Sequence, residues 1–277
     1  MRDTPIYLCN EVLRELDFAK QCELAAQLGY DGIELAPFTL GERPHELGPA
    51  KRRELRETAA SAGVRIGALH WLLVTPAGLS ITSADPQVRS ETLSVMRGLV
   101  ELCAELGGTV LVHGSPQQRR LPDEREPAKA RAIEAFALAA EWAAAAGVTY
   151  CIEPLSPHEA DFVNTVEEAA GIVARVGNPH LRTMIDCRAA RLTERESVPE
   201  LLRRWVPRGM IHHVHFNDSN SRGPGQGEDT FGDVLDALAE VGYQGAAGVE
   251  PFEYVPDGPT AAARAIGYLR GLRERTA

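Results

Sequence analysis

Two glutamates, an aspartate and a histidine close four short apolar runs in the second half of this chain. They are Glu153 in TYCIEP, Asp186 in RTMIDC, His215 in IHHVHFND and Glu250 in AAGVEP. Successive members are 33, 29 and 35 residues apart, each about one strand-plus-helix unit. Three carboxylates and one imidazole form a donor set for a hard or borderline divalent cation. A parallel barrel would bring four such strand ends together around one axis. Glu153, Asp186, His215 and Glu250 are therefore the expected metal ligands.

Other strand ends are polar as well: Glu34, His70 and His113. Seven inward carboxylates and imidazoles would repel one another or stay unsatisfied without a cation. His70 and His113 have three open roles: binding substrate oxygens, holding a second metal, or hydrogen-bonding in the upper core. Substrate contact is the expectation for both, and Glu34 is expected to orient a ligand. Side chains two apart on a strand share a face. His213 and His215 then point together, and Ala246, Gly248 and Glu250 do likewise, with small residues leaving space beneath Glu250. The glycine-rich SNSRGPGQGED at 219–229 reads as a mobile loop over the substrate, with Arg222 placed to hold a substrate hydroxyl or phosphate. QQRRLPDER at 117–125 reads as a solvated face. Trp71 and Phe252 flank strand ends; core packing is expected of them, and stacking on a sugar is the alternative.

The elements that would position these residues alternate along the whole chain. Strand-like runs fall at 5–9, 33–35, 64–70, 109–113, 148–153, 181–186, 210–217 and 246–250. Helical patterns fall between and after them, at 18–28, 50–62, 86–106, 127–146, 165–176, 197–206, 231–241 and 259–274. Val- and Ile-rich runs separated by helices indicate a parallel sheet buried on both faces. Eight such units without a break in composition predict an α/β chain folded as a single (β/α)8 TIM barrel, one domain over 1–277. The alternative, an open doubly wound sheet, wants a glycine-rich phosphate turn after the first strand, and CNEVLREL has none.

A hydrophobic content of 44% supplies a substantial core at this length. The net charge of −10 repels nucleic acid and anionic lipid, so neither is an expected partner. Five scattered cysteines lack zinc spacing and read as reduced, buried thiols. No signal peptide or membrane-length apolar stretch is visible, and a cytoplasmic protein is expected.

The pieces LGYDGIEL, the His70 and His113 strand ends, EPLSPHEADFVNT, MIDC, HVHFNDSNSRGPGQG and GYQGAAGVEPF together resemble the xylose isomerase-like TIM barrel superfamily, in its sugar phosphate isomerase/epimerase branch. The resemblance implies one divalent ion, Mn, Mg or Co with Zn as a further candidate, on Glu153, Asp186, His215 and Glu250. It implies that Glu153 and Glu250 also shuttle the substrate proton, and that Glu159 touches substrate. Two positions depart from the ketose epimerases: Ala189 stands where they carry a histidine, and Ser221, beside Arg222, where they carry an arginine. The similar abasic-site endonucleases bind three zinc ions with additional histidines that are missing here.

The expected function is thus a divalent-metal-dependent sugar isomerase or epimerase. It would move a proton alpha to a carbonyl through a cation-stabilised enediolate. Expulsion of a β-hydroxyl from the same species would instead make a dehydratase or lyase on a keto-polyol or related acid. An endonuclease-like metallohydrolase and a non-catalytic binding protein rank below these. The expected partner is a small sugar or polyol, and the resemblance leaves a homo-oligomer open.

Overall fold

The computed structural model describes residues 4–274, so residues 1–3 and 275–277 of the expected 1–277 domain lie outside the described residues. Eight parallel strands close into one barrel in sequence order, β1 pairing with β8. They are β1 (Ile6–Cys9), β2 (Gly32–Leu35), β3 (Arg65–Leu69), β4 (Val110–His113), β5 (Thr149–Ile152), β6 (Leu181–Asp186), β7 (Ile211–Phe216) and β8 (Ala247–Val249). Nine α-helices surround them among the described residues: α1 (Phe18–Leu28), α2 (Pro49–Ala62), α3 (Pro86–Leu106), α4 (Arg125–Ala146), α5 (Val166–Val176), α6 (Cys187–Thr193), α7 (Val198–Trp205), α8 (Gly232–Glu240) and α9 (Gly258–Glu274). The single (β/α)8 TIM barrel is the observed fold, and no helix among the described residues is long and apolar enough to cross a membrane.

Local signals explain where the helices begin and end. Asp17, Asp85 and Thr165 accept backbone N–H bonds at the starts of α1, α3 and α5, and Ser197 with Glu200 forms a reciprocal capping box on α7. Helices α1 to α5 each run into a glycine in the left-handed region, as at Gly29 (φ 90°) and Gly147 (φ 71°), and the chain turns from there into the next strand. The helix not foreseen is α6. It starts where the Asp186 side chain accepts the Ala189 N–H, so a candidate ligand doubles as a helix cap.

Alternation along the strands separates two apolar regions. Ile6, Leu8, Leu111, Ile152 and Val214 face the helices and belong to the large core. Ala68, Val110, Val112, Cys151 and Met184 form a small plug inside the barrel. Glu153 continues the inward face of Cys151, and Asp186 that of Met184. The strand register sets Asp186 beside His215 and His215 beside Gly248, so the ligand-bearing ends arrive at one level.

Candidate metal centre

Ligand atoms of Glu153, Asp186, His215 and Glu250 all lie within 4.8 Å of one another, and all four residues are buried. Glu153, Asp186 and Glu250 line a cavity of about 270 Å³ at the C-terminal mouth of the barrel, with His215 fully buried beside them.

Each candidate ligand is held by the protein. His215 donates through Nε2 to Glu34 Oε1 at 2.8 Å, and His213 donates to the other Glu34 oxygen at 2.7 Å. This sets the His215 tautomer and leaves Nδ1 free for a ligand. Burial alone would raise the Glu34 carboxyl, but the His213 and His215 imidazoles outweigh it and hold Glu34 well below the ordinary range. The expectation that Glu34 orients a ligand describes this geometry. Asp186 accepts from Ala189 N and from Asn217 Nδ2, both at 2.6 Å. Glu250 Oε1 accepts the Trp71 indole N–H at 2.8 Å. Glu153 is fixed from behind, its carbonyl accepting from Arg119 Nη1 at 2.7 Å. One of its carboxylate oxygens occupies the space that a Cβ on Gly114 would fill.

The donor set fits a divalent ion. His215 Nδ1 and Glu250 Oε2 stand 2.9 Å apart, yet both are buried and out of hydrogen-bonding alignment. Two ligands at about 2.1 Å from one cation and at right angles to each other are about 3 Å apart. Without a cation the carboxylates must share protons. Burial, then Glu153 and Glu250, pushes Asp186 up; Glu250 is raised by burial against the pull of His215. Burial would lower His215, but Glu250 and Glu34 lift it well above the usual imidazole range. Two overlapping groups, Cys9–Glu11–His70–Glu250 and Cys9–Glu34–His215, are also close enough to ligate. Their imidazoles are already bonded to carboxylates, and burial drives the Cys9 thiol well up, so they read as hydrogen-bonded support.

Several expectations need correction. His113 faces out of the barrel: it shares the face of Leu111, bonds the Tyr150 hydroxyl at 2.7 Å and stacks edge-on against Phe136 of α4. Burial, with Arg119 nearby, pushes its imidazole down to about 3. It is therefore not placed to bind substrate, and six of the seven polar strand ends point inward. His70 is inward but fully buried behind Glu250, bonded to Glu11 Oε2 at 2.9 Å, and stands off the cavity wall. Burial opposes its protonation, but Glu11, then Glu34 and Glu250, raises it to about 9. Arg222 misses the cavity too: its Nε faces Glu253 at 3.8 Å, and Ser221 lines the wall instead.

The 219–229 loop is closed on itself by bonds from Ser219 to Asp229, from Asp229 to Asp218 and from Asn220 to Gln226, which is a braced loop rather than a free flap. The space expected beneath Glu250 is filled, because Glu34 and His215 lie against Gly248. Within the supposedly solvated 117–125 stretch, Arg119 is fully buried. Trp71 and Phe252 line the cavity rather than only packing in the core.

Glu159 does line the cavity, and it pairs there with Arg188 at 2.8 Å. Arg188, Gly114, Asn217 and the Trp71 bond to Glu250 were not foreseen. Only Asn217 had a signal, since it continues the inward face of His213 and His215.

Eight strands ending in this buried carboxylate–imidazole cluster define a class of barrel with its chemistry at the C-terminal mouth. The chain belongs to the xylose isomerase-like TIM barrel family, whose model matches residues 22–272. It is similar to a D-psicose 3-epimerase of Ruminiclostridium cellulolyticum, 26% identical over 242 residues that cover 86% of this chain and 79% of that protein. A fructoselysine 3-epimerase of Shigella flexneri is 25% identical over 237 residues, 82% of each chain. Two solved structures share the fold. A D-psicose 3-epimerase in the presence of D-fructose matches with a TM-score of 0.82 at 21% identity, over 97% of this chain and 99% of that one. The 3-keto-D-glucoside 4-epimerase from E. coli matches with a TM-score of 0.83 at 19% identity, over 97% and 100%.

Proposed function

We propose that this protein is a divalent-metal-dependent sugar epimerase that inverts a carbon next to a ketone. The observation that carries this reading is the convergence of Glu153, Glu250, Asp186 and His215, three of them lining a cavity of about 270 Å³. That volume suits one monosaccharide, below the usual range for larger ligands. Its curated relatives are named as 3-epimerases of ketoses and of a fructosamine, in keeping with such a substrate.

Glu153, Asp186, His215 and Glu250 would hold one ion, and three carboxylates with one imidazole suit Mn, Mg or Co. When bound, the ion supplies Lewis-acid polarisation of the substrate carbonyl, which acidifies the adjacent C–H. One of Glu153 and Glu250 takes the proton from that carbon, and the C–H electron pair moves toward the carbonyl. The other glutamate returns a proton to the opposite face, giving the epimer. Trp71 holds Glu250, while Arg119 and the absent Gly114 side chain set Glu153, so both bases are positioned before substrate arrives. The five buried, unbridged cysteines accord with a reducing compartment such as the cytoplasm.

Elemental analysis of the purified protein, followed by solvent-deuterium exchange into a panel of ketoses with Mn present, tests this reading. One equivalent of metal and deuterium at the epimerised carbon are expected. Metal binding without exchange into any ketose would overturn it.

A further inference from the structure

The cavity wall opposite the barrel strands carries an arginine that neither the proton transfer nor the cation uses. Arg188 sits in α6, two residues after Asp186, and lines the cavity together with Glu159 and Phe252. Its guanidinium is constrained on several sides. Nη1 donates to Glu159 Oε1 at 2.8 Å, the plane approaches the Phe252 ring at 5.5 Å, and the backbone N–H donates to Asn217 Oδ1 at 2.9 Å. Asn217 in turn donates to Asp186, which ties Arg188 to the ligand set. Nε is buried and has no acceptor in the protein. A donor group held in place with an unmet hydrogen bond beside a cavity is a recognition element awaiting an oxygen.

The surrounding charge says which oxygen. Glu159 already balances Arg188, and the cavity also presents Glu153, Asp186 and Glu250. With its charge met by Glu159 beside three further carboxylates, Arg188 is poorly placed for a phosphate, whereas an arginine donor beside a glutamate acceptor matches neighbouring hydroxyls. Resting on the epimerase reading, we propose that Arg188 is a specificity-determining residue that binds the hydroxyl-bearing tail of the substrate rather than a phosphate.

The test compares wild type, Arg188→Met and Arg188→Lys, all loaded with Mn, against D-fructose, its 6-phosphate and the four-carbon erythrulose, which lacks most of the tail. Calorimetric binding and deuterium exchange are both read. For Arg188→Met, a rise of tenfold or more in Kd and KM for the hexulose is expected, with kcat within about threefold and erythrulose unaffected. Arg188→Lys should recover part of the loss, and the 6-phosphate should be at least tenfold poorer than fructose for the wild type. An equal loss on erythrulose and fructose, unchanged hexulose binding in both variants, or preference for the phosphate would overturn the proposal. If wild type binds fructose without exchanging deuterium, the epimerase reading fails while the binding comparison still decides the role of Arg188.

Discussion

His215 and His113 both end barrel strands, and they share almost nothing else. His215 lies inside the barrel among Glu34, Glu153 and Glu250, where the carboxylates lift its affinity for positive charge far above normal. His113 lies outside the barrel between Phe136 and Tyr150, where burial with Arg119 nearby keeps it neutral. Residue type and strand-end position are the same; the face of the strand decides the chemistry. The β4 side of the site contributes differently, through the missing side chain of Gly114 and the buried Arg119, while the β7–β8 side contributes the candidate ligands His215 and Glu250.

The sharpest way to break this contrast is to disable the ligand side. Glu250→Gln keeps the shape and the Trp71 contact but removes the base, and deuterium exchange into the ketose should fall by about a thousandfold. Wild-type exchange in that variant would remove Glu250 from the mechanism. On the β4 side, Gly114→Ala puts a methyl group where the Glu153 carboxylate sits. Displacement of a base by about 1 Å should cost about a hundredfold in kcat/KM, with the fold intact by circular dichroism.

The third test uses pH. Asp186 and Glu250 are raised, so they keep protons at pH values above the ordinary carboxylate range of about 4, and His215 holds its proton more tightly than a free imidazole. A cation must displace those protons. Affinity for Mn should therefore weaken as pH falls through about 7, where Asp186 takes up its proton, with proton release on binding, as read by competition titration in two buffers of different ionisation enthalpy. Affinity independent of pH would mean that other groups hold the ion. A smaller effect is expected of His113→Phe. It leaves the Tyr150 hydroxyl unpaired and should cost about 1–2 kcal/mol in denaturant unfolding, with cation affinity and kcat/KM within twofold of wild type. A large loss of activity there would restore His113 to the site.

The same contrast shows what could be read from sequence. The β/α period located all eight strands, and the four candidate ligand positions follow because polar residues interrupt apolar runs at barrel spacing. The face of β4 could not be read, because Val110, Leu111 and Val112 are apolar on both sides and leave no polar alternation to phase His113. Arg119, Gly114 and Trp71 escaped for another reason. Their roles depend on partners 34, 39 and 179 residues away in sequence, and no local pattern marks such pairs. Helix α6 was missed because a short helix capped by a candidate ligand has no apolar period of its own. Arg222 was chosen for its charge, but its neighbour Ser221 takes the place on the cavity wall.

The braces on the four ligands have a last consequence. Glu34, Asn217, Trp71 and Arg119 grip them through hydrogen bonds that need no ion. The socket is finished before its occupant arrives, unlike a zinc finger that collapses when stripped. Prolonged chelation should thus silence the protein while leaving its far-ultraviolet dichroism unchanged, and refilling with Mn or Co should revive it without refolding.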